Sequence, residues 1–75
     1  MEKKIVDLGC TVIVRFSNGP VLENSWEVLS EAYGRELDVE TLGELVRKVE
    51  NSVGYDYMTN KEREDEFWNV LKQGA

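Results

Sequence analysis

Fifteen carboxylates, nine lysines and arginines, a single cysteine and no histidine set the chemistry open to this 75-residue chain. Serine or cysteine nucleophiles normally work beside a base, most often histidine, and the sequence has none to offer. Cys10 falls in a Gly9-Cys10 turn signal with no neighbouring base to activate it, and reads as a small buried or half-buried thiol. The carboxylates alone could supply an acid–base pair, but most lie on the expected solvent faces of helices. One small core also leaves little room for the roughly 300 Å³ that a small-molecule site needs. The expectation is a protein that is not an enzyme.

Metal and phosphate sites fare no better on spacing. Zinc needs cysteine pairs or histidines, and neither is present. Read as a calcium loop from Asp56, the chain places Met58 where the third position needs an oxygen ligand and Lys61 where the sixth needs glycine. The six glycines are scattered singly, so no phosphate-cradling loop exists. No cofactor and no metal are expected.

What remains is the acidity, and it is uneven. Residues 1–22 carry two acids and three bases, residues 23–50 eight and three, and residues 51–75 five and three, within an overall charge of −6. Glu23, Glu27, Glu31, Glu36, Asp38 and Glu40 crowd the start of the middle segment, with Glu27 and Glu31 one helical turn apart. Such a face is either a solvated, solubilising surface or a docking surface for a basic protein. Acidity repels nucleic acid and anionic membrane alike, and the three bases Lys3, Lys4 and Arg15 are thin support for direct nucleic-acid binding. Aromatics give a second clue, because Trp26, Tyr33, Tyr55, Tyr57, Phe67 and Trp68 exceed what one small core encloses easily. Phe67 and Trp68 point about 100° apart on a helix, which makes their region a secondary interface candidate.

The elements that position these residues follow from a change of period. Up to about residue 23 the apolar pattern alternates, giving strands over 3–8 and 11–16 joined by a two-residue hairpin, with Ile5 opposite Val14. One face carries Ile5, Val12, Val14 and Phe16, and the other Val6, Leu8 and Ile13. Asn18-Gly19 signals the next turn, and 20–23 is either a third, edge strand or an extended lead, since Pro20 cannot donate to a ladder. Helices are then expected over 25–33, 39–52 and 60–73. The second carries an apolar stripe of Val39, Leu42, Leu45, Val46, Val49 and Val53, while the third is charged all round in its first half, so that only its C-terminal half reaches a core. Asn24 or Ser25, Asp38, and Thr59 or Asn60 are the caps.

The fold class is therefore α+β, an antiparallel hairpin or short meander against three helices, in a single domain over residues 1–75. The basic opening is interrupted by Asp7 and Arg15 before a signal peptide or membrane span can form, and a lone cysteine suits a reducing compartment, so the expected location is cytoplasmic. In size, acidity and lack of catalytic residues the chain is similar to phage-encoded inhibitors, including anti-restriction and anti-CRISPR proteins, a likeness of size and charge rather than of motif. The leading expectation is a small inhibitor or modulator that binds the basic surface of a larger protein. The alternative is a structural or assembly protein that self-associates as a homodimer, since a chain this short needs supplementary stabilisation.

Overall fold

The structure, a computed structural model, describes residues 4–74. Three antiparallel strands, β1 (Ile5–Leu8), β2 (Thr11–Arg15) and β3 (Val21–Ser25), form a meander in the order β1-β2-β3. Ile5 pairs with Val14, as the hairpin register predicts, and Gly9 supplies the positive φ of 81° that a glycine-first turn demands. The expected strand over 3–8 begins at Ile5; Lys3 lies outside the described residues. Phe16 falls just past the end of β2, yet it stays buried and its N–H donates to the Pro20 carbonyl.

The third strand is a full one, running to Ser25 rather than ending at 23. Pro20 does not prevent it because proline sits just ahead of the strand and contributes a carbonyl, not the missing N–H. Alternation places Val12, Val14 and Leu22 on the helix-facing side. Val6, Leu8, Ile13, Val21 and Glu23 occupy the other, where Leu8 is 57% and Val21 62% exposed. Helices cover one face of the sheet only.

Those helices are α1 (Trp26–Tyr33), α2 (Val39–Glu50) and α3 (Asn60–Lys72), with a single 3₁₀ turn over Tyr55–Tyr57 in the connector. Ser25 caps α1, Asp38 caps α2 and Thr59 caps α3, the last through a capping box with Glu62. Gly34 ends α1 in the left-handed region, at φ 90°. Helix α2 stops two residues earlier than its apolar periodicity suggests. Val53 therefore leaves the stripe and is fully exposed, and Val39 is also exposed, so the buried seam is Leu42, Leu45, Val46 and Val49.

Helix α3 departs most from expectation, because Arg63, in its charged first half, is buried. Its guanidinium donates to the carbonyls of Tyr55 (3.0 and 3.1 Å) and Asn18, reaches Asn60 Oδ1 at 3.3 Å, and lies over the Tyr55 ring at 4.5 Å. The Tyr55 hydroxyl donates in turn to the Ser17 carbonyl at 2.8 Å. Together these groups clamp the β2–β3 turn to α3. Gly19 permits the approach, since a Cβ there would stand 2.7 Å from the Tyr55 hydroxyl and 2.9 Å from Phe16 Cβ.

Candidate protein-interaction surface

The six acids singled out by their density do not form one patch of equivalent groups. Glu23 lies on β3, Glu27 and Glu31 on the open side of α1, and Glu36 on the α1–α2 connection, all exposed. Asp38 is spent on the fold: its carboxylate accepts the Thr41 N–H at 2.7 Å. That bond holds its pKa below the ordinary 3.8. Glu40 stands in the first turn of α2 and lines a shallow, wide-open groove of about 450 Å³ with Lys4, Ile5, Val39, Gly43 and Arg47. A groove this size exceeds what the sequence suggested a small core could hold, but it is a surface trough between β1 and α2, not an enclosure. Its Lys4 ammonium is tied to Glu50 and Ser17, both at 2.7 Å.

Glu50 shows how carboxylates are used structurally here. Burial pushes its pKa up, but hydrogen bonds from Lys4 Nζ and the Ser17 N–H (2.7 Å) outweigh that cost and hold it below the ordinary 4.5. Among the described residues, Lys4–Glu50 is the ion pair that forms, and Glu23, Glu27, Glu31, Glu36 and Glu40 carry none.

The two C-terminal aromatics separate. Phe67 is wholly enclosed and meets the Phe16 ring edge-on at 5.6 Å, so it belongs to the core and not to a surface. Trp68 is half-buried, edge-on to Phe67 at 5.5 Å. Trp26, also half-buried, donates its indole N–H to Asp7 at 3.0 Å, and Tyr57 is exposed. Tyr33 and Tyr55 are buried; burial raises the Tyr55 pKa above its ordinary 10.0, against the opposing pull of Arg63.

Between β3 and α3 lies a feature that composition does not disclose, a cleft of about 70 Å³ lined by Val12, Val14, Leu22, Glu23, Asn24, Leu29, Glu64, Phe67 and Trp68. Its floor is the buried set Val12, Val14, Leu29 and Phe67, and its mouth is the half-buried or exposed set, including the Glu64 carboxylate and the Trp68 indole. The available signal was the spacing of Glu64 and Trp68, one turn apart on α3 and about 100° from the inward pair Arg63 and Phe67.

Among the described residues no group of three or more His, Cys, Asp or Glu could hold a metal ion, and no helix is long and apolar enough to cross a membrane. Cys10 is exposed rather than buried or half-buried, because the two-residue β1–β2 turn that holds it stands at the end of the sheet. Compared with protein-family models, with curated proteins and with solved structures, the chain matches none.

Proposed function

We propose that this chain is a non-catalytic, cytoplasmic interaction module that binds a basic surface of a larger protein and thereby inhibits or modulates it. The observation that carries the reading is that Glu23, Glu27, Glu31, Glu36 and Glu40 stay exposed and without ion-pair partners among the described residues, in a chain of net charge −6. Their charges project outward undiminished and steer association with a positive partner. The acids that do fold work, Asp7, Asp38, Glu50 and Glu62, are distinguishable from these by their hydrogen bonds.

The test compares two variants of equal net charge. In one, Glu27, Glu31 and Glu36 become lysine; in the other, the equally exposed Glu44, Asp56 and Asp65 do. Lysate partners retained by wild type at low salt are expected to be lost by the first variant and kept by the second. Equal loss from both would reduce the effect to bulk charge and sink the reading. Self-association is a second reading, favoured by the open sheet face of Val6, Leu8, Ile13 and Val21. Light scattering across micromolar concentrations tests it, and a monomer throughout would remove it.

A further inference from the structure

The β3–α3 cleft is side-chain-sized. At about 70 Å³ it lies well below the roughly 300 Å³ at which small-molecule pockets begin. A cleft this small takes contact from one side chain at its mouth. Its floor is the enclosed set Val12, Val14, Leu29 and Phe67, its mouth is bordered by Leu22, Asn24, Glu64 and Trp68, with the Glu23 side chain on the other face of the sheet, and no basic residue lines it. A long side chain laid across this mouth rests its aliphatic stem on Leu22 and Trp68 and brings a cationic head to Glu64.

The strand beside the cleft is prepared for an extended partner. The Arg15 N–H donates to Lys4 across β1–β2, and the alternation of an antiparallel ladder then turns the N–H and C=O groups of Val12 and Val14 towards Asn24 and Leu22 of β3. The peptide groups of Val21 and Glu23 consequently point out of the open edge. A strand added there pairs with those two residues. Its intervening residue, opposite Leu22, projects onto the helix-facing side, where the cleft opens. Trp68 also retains a free donor: Trp26 Nε1 is spent on Asp7, but among the described residues no acceptor meets Trp68 Nε1.

We infer that the β3 edge and the mouth of the β3–α3 cleft together form a receptor for an extended basic segment of the partner protein, which pairs with Val21 and Glu23 and lays one arginine or lysine side chain across the mouth against Glu64 and Trp68. This assignment rests on the reading of the chain as a binder of basic protein surfaces, and it gives that partner a conformation and an anchor residue.

The experiment titrates the ¹⁵N-labelled full chain with a capped Thr-Val-Arg-Val-Thr peptide and with counterparts carrying norleucine or glutamate at the centre. The arginine peptide is expected to shift the Trp68 indole N–H and the Leu22 and Glu23 amides. It should bind about tenfold more tightly than the norleucine peptide, a difference of the size a desolvated cation–π and carboxylate contact supplies. Glu64→Gln should reduce that preference several-fold while leaving the spectrum of the free protein otherwise unchanged. Trp68→Leu should abolish it, and if that variant does not fold, Glu64→Gln alone decides. Equal affinity for arginine and norleucine peptides would overturn the cationic anchor. Shifts confined to Glu27 and Glu31 would overturn the cleft assignment and leave the acidic-surface reading standing, whereas no shift from the arginine peptide would overturn both.

Discussion

Replacing Arg63 by methionine should remove a large share of this protein's stability, although the residue lies in the most hydrophilic stretch of the chain. The methionine keeps an unbranched apolar stem and so isolates the guanidinium. Lost with it are the donors to the buried Tyr55 carbonyl, to Asn18 and to Asn60, together with the cation 4.5 Å above the Tyr55 ring. Hydrogen bonds from a charged group contribute about 1.5–3 kcal/mol each when one partner is deleted, but two of these share one acceptor and exposed Asn18 can be rehydrated. Relief of the guanidinium's own desolvation offsets part of the remainder. The net expectation is a loss of about 2–3 kcal/mol. For a chain of this length that lowers Tm by about 10–20 °C, and with an m-value near 1 kcal/mol per molar urea it moves the midpoint down by about 2–3 M. Urea unfolding followed by tryptophan fluorescence measures it, with exposed Lys61→Met as a control expected within about 0.5 kcal/mol of wild type. If Arg63→Met and Lys61→Met unfold at the same urea concentration, the guanidinium is not holding the turn, and the clamp is refuted.

Two further perturbations probe the same corner of the molecule. Glu50 has a depressed folded-state pKa, so its contribution is complete above its unfolded value near 4.5 and fades as pH falls through the folded value. Glu50→Gln should thus cost about 0.5–1 kcal/mol at pH 7 and shrink the stability lost between pH 5 and 3, measured by urea midpoints at each pH; an unchanged acid limb would disprove the assignment. Gly19→Ala should destabilise by about 1–3 kcal/mol, because its Cβ meets Phe16 Cβ, which cannot swing away, as well as the Tyr55 hydroxyl. Thermal denaturation reads this, and a Tm within 2 °C of wild type, against the roughly 4–8 °C per kcal/mol of a small domain, would show that the turn has slack.

What could be read from the chain, and what could not, divides along local against long-range physics. The hairpin register came from a two-residue turn and strict alternation, and Ser25, Asp38 and Thr59 cap their helices as their side-chain chemistry dictates. Val53 was misplaced because its period continues the α2 stripe, while the backbone leaves the helix after Glu50 and takes Gly54 to φ 84°. Phe67 and Trp68 are adjacent and chemically alike, so only the direction of α3 decides which is enclosed. Beyond the spacing of Glu64 and Trp68, nothing local marks the cleft, because its lining comes from β2, β3, α1 and α3, more than fifty residues apart at the extremes.

Arg63 connects the two kinds of information. In a run of Lys61, Glu62, Arg63, Glu64, Asp65 and Glu66, nothing distinguishes one charge from the next except its partner, and its partners are carbonyls that carry no sequence signature. Yet the helical period does separate them, since Arg63 lies one turn before enclosed Phe67 and Glu64 one turn before half-exposed Trp68. By binding the Asn18 carbonyl, Arg63 fixes the turn from which β3 departs, and the next side chain on the helix, Glu64, stands at the mouth that β3 borders. The rotation of α3 that buries one charge is the same rotation that presents the other. Loosening the Arg63 clamp should therefore disturb the cleft as well as the stability, and Arg63→Met, studied where it is still folded, should shift the Trp68 indole N–H even without ligand.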